Sequence, residues 1–230
     1  MTLLLSKSDR EGRDLHNVWK RAWSWDTFGA LAGVLSFALG IGSYLAEGCL
    51  HCLVAINDPP EAFAQIYGAQ WSRLRLTVYL VLLSIFFFVV FTSYLGDYLR
   101  KAAGGVGWLA SVAYGGGILT AAVDLLWVSF IIAGATVGEY GASPEVARTL
   151  FILTYNFDYL SAPPLAAIVG ATSVVILRTG LWPRWLGWVG LLIAAFALAL
   201  ITGGTTIILA FLWLLLVSIL MVSKQLRAQA

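Results

Sequence analysis

Residues 74–95, LRLTVYLVLLSIFFFVVFTSYL, carry one charge, Arg75, in twenty-two positions. As a helix this stretch is roughly 33 Å long at 1.5 Å per residue, enough to cross the roughly 30 Å of hydrocarbon in a bilayer. It shows no period-2 alternation of apolar and polar residues, which argues against a strand of a membrane barrel. Hydrocarbon offers no partner for backbone N–H and C=O groups, so a spanning segment of this kind satisfies them internally as a helix.

Five more stretches read the same way. The expected spans are 27–46, 74–95, 107–133, 150–177, 185–201 and 205–222, the third and fourth long enough to require tilt or a break. Composition agrees, with 60% of residues hydrophobic and 11% charged. A soluble domain needs about a quarter of its residues charged to meet water, so lipid must cover most of this surface. The fold class expected is all-α, a polytopic membrane bundle of six transmembrane helices. It divides into a cytoplasmic, interfacial amphipathic segment (1–26), a six-helix transmembrane domain (27–223) and a cytoplasmic tail (224–230). The first thirteen residues lack the apolar run of a cleavable signal, so the first span is expected to act as an uncleaved anchor.

Cytoplasmic flanks carry an excess of Lys and Arg. Lys7, Arg10, Arg13, Lys20 and Arg21 precede the first span, Arg100 and Lys101 follow the second, Arg178 and Arg184 separate the fourth from the fifth, and Lys224 and Arg227 end the chain. Eleven of the fourteen basic residues therefore share one side, which places both termini in the cytoplasm, with the bacterial inner membrane as the expected location. Arg73, Arg75 and Arg148 fall at the opposite helix ends. Leu15, Val18, Trp19, Ala22 and Trp23 recur at helical spacing and predict an interfacial helix ahead of the first span. The basic residues are too scattered for nucleic acid to be a partner.

Asp124 and Asp158 fall inside spans, where a carboxylate is costly and is usually paired or functional. Pro163-Pro164 predicts a break in the fourth helix. An outward-facing polar pocket is therefore expected between the second, third and fourth helices. Its lining would be Asp124, Tyr155, Asn156, Asp158, Ser161 and Arg73 or Arg75, with Glu47 entering from the first helix. The competing reading is an ion pair that only orders the bundle.

Cys49-Leu50-His51-Cys52 lies just after the first span; a local disulfide, two inert thiols and a redox pair all fit that spacing. A metal site would need a second ligand pair, and neither metal nor cofactor is expected. The 57–61 stretch, Asn-Asp-Pro-Pro-Glu, predicts a short surface helix over 59–70 with Asp58 as its cap, and Ser143-Pro144-Glu145 predicts the start of the fourth helix. Gly29, Gly33, Ser36 and Gly40 space small residues for close helix packing, and Gly115-Gly116-Gly117 suits either tight contact or a bend. No histidine or lysine lies within a span, which removes intramembrane bis-histidine haem ligation and a retinal Schiff base.

The stretch 174–187, VVILRTGLWPRWLG, resembles a bacterial membrane family known as domain of unknown function 4386. Members have a similar Arg-Ser/Thr-Gly-x-x-Pro-Arg-x-Leu-Gly turn between their fourth and fifth helices. Tyr44-Leu45-Ala46-Glu47, the arginine entering the second helix and Asp124 are also similar to its pattern. Asn156 to Pro164 and Cys49 to Cys52 depart from it. The resemblance implies a six-helix membrane protein and carries no activity with it.

The expected function is non-enzymatic binding of a small or amphiphilic ligand, or of a partner subunit or second copy, in the outward-facing pocket. Two alternatives stand beside it: an extracytoplasmic thiol redox protein using Cys49 and Cys52, and a proton- or ion-coupled transporter of small solutes.

Overall fold

The computed structural model describes residues 25–48, 55, 57–104, 107–140, 143–199 and 204–229, without the side chains of residues 138, 139, 158, 204, 228 and 229. The interfacial segment before residue 25, together with Cys49, His51 and Cys52, lies outside the described residues. Seven helices make up the described chain: α1 (Trp25–Glu47), α2 (Pro60–Ala69), α3 (Trp71–Ala103), α4 (Gly107–Tyr140), α5 (Pro144–Thr179), α6 (Arg184–Leu198) and α7 (Gly204–Gln229). α1, α3, α4, α5 and α7 are each long and apolar enough to cross a bilayer. α6, the expected fifth span, is a helix of 15 residues, roughly 22 Å and so shorter than the hydrocarbon layer. The protein is a multi-pass membrane bundle whose lipid-facing surface is apolar, with Leu82, Phe86, Leu126, Leu160, Leu192 and Leu212 all exposed.

α5 is the central helix: 67% of its apolar stretch is buried, against 28–39% for the other four long helices. It packs against α4 on one side and α6 on the other, and α3 links α4 to α1. Hydroxyls within the helices bond back to their own backbone, as when Thr120 donates to Gly116 O at 2.9 Å, Thr154 to Leu150 O at 2.8 Å and Ser173 to Val169 O at 2.7 Å. That i to i−4 pattern lets a polar side chain sit in hydrocarbon without an unmet donor.

Pro163-Pro164 does not break the helix; α5 runs without interruption from Pro144 to Thr179. Each proline removes a donor and costs about 3 kcal/mol in an isolated helix. In the bundle, neighbouring helices offset that cost. Gly116 of α4 presses directly on this segment, so close that a Cβ there would stand 2.8 Å from the Pro164 carbonyl oxygen and 2.9 Å from the Ile168 nitrogen. Of the two expectations for the triple glycine, tight contact is the one realised.

α2 is the short surface helix expected over 59–70, and it buries one face. Phe63 and Tyr67 are almost wholly buried and form a second apolar cluster with Leu74, Ile131, Ala135, Ala147 and Phe151. Asp58 does not cap it; Pro59 holds the N-cap position, and the Asp58 carboxylate instead accepts from Ala55 N at 2.8 Å. Ser143 holds the N-cap position of α5 with Pro144 next, but its hydroxyl bonds the Glu145 side chain rather than the helix backbone. Gly180 ends α5 with φ +65°, its N–H reaching Ile176 O at 2.9 Å, and Pro183 precedes α6 as expected.

Three contacts bring the basic flanks to one end of the bundle. Trp182, in the turn between α5 and α6, stacks on Tyr98 near the end of α3 at 5.8 Å. Lys224 of α7 lies 5.8 Å from the same ring. Arg100, Lys101, Arg178, Arg184, Lys224 and Arg227 all flank these contacts. α1 begins at this end too, since the Ser218 hydroxyl of α7 donates to Ala30 O at 2.6 Å. α7 finishes here and α6 starts here.

Candidate functional site

α1 and α7 touch near the basic end and diverge beyond it. Their contact is close at Ser218, which donates to Ala30 O and would lie 2.6 Å from a Cβ on Gly33. Past this point a cavity of about 510 Å³ opens, lined along α1 from Gly33 to Glu47 and along α7 from Ile207 to Leu215. Its back wall comes from α3, α4 and α5. Fourteen residues of α1 separate Gly33 from Glu47, giving a length of roughly 21 Å.

The lining is two-sided in character. Phe88, Phe91, Phe211, Leu214 and Leu215 supply an apolar wall, while Glu47, Asp124, Ser36, Ser43, Ser84 and Ser161 supply the polar groups. Glu47 is buried at the last turn of α1. The serines are fixed by the backbone around them. Ser43 donates to Gly40 O at 2.7 Å, Ser161 to Phe157 O at 3.2 Å, and Ser84 to Ser36 O at 2.8 Å. Ser36 and Ser84 also lie 3.3 Å apart through their hydroxyl oxygens. Because the Ser84 proton is already directed to Ser36 O, the Ser36 hydroxyl is the donor in that pair.

Of the residues expected to form a pocket, Glu47, Asp124 and Ser161 do line this cavity. Tyr155 and Asn156 do not; both are exposed on α5, with the Asn156 amide donating to Ile152 O at 2.7 Å. They precede Phe157 by two residues and one, which turns them roughly 200° and 100° around the helix from the inward-facing stripe of Phe157 and Ser161. Arg73 and Arg75 are also outside the lining and exposed. Arg75 stacks over the Trp71 ring at 4.5 Å, and Arg73 reaches across to Gly48, just beyond α1. Asp158 lies on α5 beside Phe157, with its side chain outside the described set.

The expected position between the second, third and fourth spans is thus enlarged by α1 and α7. Ser43, Ser84 and the α7 wall have no counterpart among the expected lining residues, and Ser36 stood only among the small residues for close packing. Gly33, Ser36, Gly40, Ser43 and Glu47 do recur every three or four residues, the one signal that could have found them. That spacing fits a packed face as well as a cavity wall, and α1 uses it for both.

Beside the cavity, Glu47 shares its surroundings with Tyr67 of α2. The Tyr67 ring lies flat against α4, where a Cβ on Gly134 would be 2.6 Å from its Cζ. Burial pushes the Tyr67 phenol up to about 12, the Glu47 charge adding to the rise and the neighbouring Thr154 hydroxyl opposing it. A phenol is neutral when protonated, so its folded value above 10 makes a contribution to stability that is fully present below pH 10. That contribution is lost as pH climbs through 12, and reaches about 2–3 kcal/mol. Thermal unfolding in detergent, followed across this window, should fall more steeply for the wild type than for Tyr67→Phe. Parallel curves would remove Tyr67 as the cause.

The profile of a protein family described as "Domain of unknown function (DUF4386)" matches residues 31–228, a span that includes every residue of the cavity lining. No curated protein and no solved structure matches the chain.

Proposed function

The chain belongs to the DUF4386 family, and for this member we propose that the cavity between α1, α3, α4, α5 and α7 binds a small amphiphilic molecule within the membrane. One observation carries the reading: a single cavity sets two carboxylates and four serines beside a wall of phenylalanine and leucine. Its volume falls in the roughly 300–1,000 Å³ range of ligand sites, which pair an apolar body with a few placed polar groups. Carboxylates in hydrocarbon are expensive and mark functional sites by default.

In this reading the chain crosses the bilayer six times, with the fifth crossing at α6. The end that gathers Arg100, Lys101, Arg178, Arg184, Lys224 and Arg227 faces the cytoplasm of a bacterial inner membrane. The carboxylates then belong to the outward half of the bundle.

Binding of a fluorescent long-chain amine to the detergent-solubilised protein tests the site. A charge-assisted hydrogen bond is worth roughly 1.5–3 kcal/mol, so Asp124→Asn should weaken binding about tenfold or more. Gly40→Leu should abolish it by filling the cavity, since the nearest side-chain atom to a Cβ at Gly40 is Ser84 Oγ at 3.6 Å and the fold can accept the added bulk. Unchanged affinity in both variants would dispose of the cavity as a binding site.

A further inference from the structure

We propose that the ligand carries a hydrogen-bond-donating head, an ammonium or hydroxyl group, and is drawn from the surrounding bilayer through the gap between α1 and α7. This rests on the cavity being a binding site, as argued above, and adds the chemistry of the ligand and its route.

The head assignment follows from where the hydroxyl protons go. Ser36, Ser43, Ser84 and Ser161 all direct their protons into the protein, to Ser84 Oγ, Gly40 O, Ser36 O and Phe157 O respectively. A serine oxygen whose proton is spent can offer only lone pairs. The carboxyl oxygens of Glu47 and Asp124 add further lone pairs to the same lining. The polar part of the cavity therefore presents acceptors. A donor head complements it, whereas a carboxylate or phosphate head would meet lone pairs with lone pairs.

The route follows from the divergence of two helices. α1 and α7 are joined at Ala30, Gly33 and Ser218 and part toward the other end. Ile41 and Tyr44 of α1 and Ile208 of α7 line the cavity and are also exposed, by 47%, 65% and 59%. Residues that belong to both surfaces mark an opening, and in a membrane bundle the medium outside such apolar lips is lipid. The cavity's roughly 21 Å compares with about 15 Å for the hydrocarbon of one leaflet, so a tail and its head both fit along α1.

Three probes sharing one diazirine-bearing tail, a long-chain amine, a monoacylglycerol and a fatty acid, would be incorporated into phosphatidylcholine proteoliposomes holding the full-length chain. After irradiation, labelled residues are mapped by mass spectrometry. The amine and the monoacylglycerol should label Phe88, Phe211 and Leu214 at least tenfold more than the fatty acid does. Ile41→Trp combined with Ile208→Trp should slow that labelling at least fivefold, while Ile219→Trp, on an exposed part of α7 away from the gap, should not. Equal labelling by the fatty acid overturns the head assignment, and an unaltered rate in the double variant overturns the route. Absence of interior labelling by all three probes, in liposomes and in detergent, would instead overturn the binding site itself.

Discussion

Gly116→Leu is expected to yield no monodisperse, folded protein. Gly116 is where α4 crosses the proline segment of α5, and the atoms facing its absent side chain are the Pro164 carbonyl oxygen and the Ile168 nitrogen. Backbone atoms inside a continuous helix cannot rotate away as a side-chain end can. Even Gly116→Ala forces the two helices apart, at a cost near the upper end of the roughly 1–3 kcal/mol seen for overpacking. Separation also withdraws the packing that lets α5 carry Pro163 and Pro164 without interruption, so the two losses compound. Size-exclusion profiles and thermal unfolding of the detergent-solubilised variants measure this. A Gly116→Leu protein that elutes and melts like the wild type would show that the α4–α5 contact is not what sustains the helix.

Gly29→Leu has the second largest expected effect, acting through the α1–α3 contact. A Cβ at Gly29 would stand 2.5 Å from Tyr94 Cγ and 2.8 Å from Tyr94 Cβ. A ring can turn, but its Cβ is tied to α3, so even a methyl group pushes the helices apart. Tyr94 is held from its other end by the Gln225 amide, which donates to its hydroxyl at 2.8 Å, so displacing it disturbs α7 as well. Gly40→Ala, on the same small-residue stripe, meets nothing nearer than 3.6 Å and should melt within about 1 kcal/mol of the wild type. The two substitutions separate the half of the stripe that packs from the half that borders the cavity. Equal losses at both positions would mean that no such division exists.

The stripe itself shows what could be read from sequence and what could not. Gly29, Gly33, Ser36, Gly40, Ser43 and Glu47 announce one face of α1, and small-residue spacing of this kind foretells close approach. At Gly29 and Gly33 that is what happens. From Ser36 onward the same face lines the cavity that α7 borders on its other side. Nothing within α1 distinguishes the two halves. Likewise Asp124 stood out as a carboxylate in a span, but Arg73 and Arg75 were drawn into its pocket only because they share an end of the bundle. Their helix turns them to the exposed face.

Pro163-Pro164 carries the same lesson in the other direction. Local chemistry forecast a break, and α5 instead runs on, with Pro164 packed against Gly116, 48 positions earlier in the chain.

What the sequence determined by itself was the medium, the helices and the gathering of basic flanks at one end. Hydrocarbon obliges each backbone N–H and C=O to find its partner within about four residues, so a run of apolar side chains is enough to foretell a spanning helix. The cavity was decided by tertiary structure alone. Its walls come from positions between Gly33 and Leu215 on five helices, and its shape from how those helices pack. Such packing is set by which side chains meet across helices, an interaction between distant parts of the chain that no local pattern records.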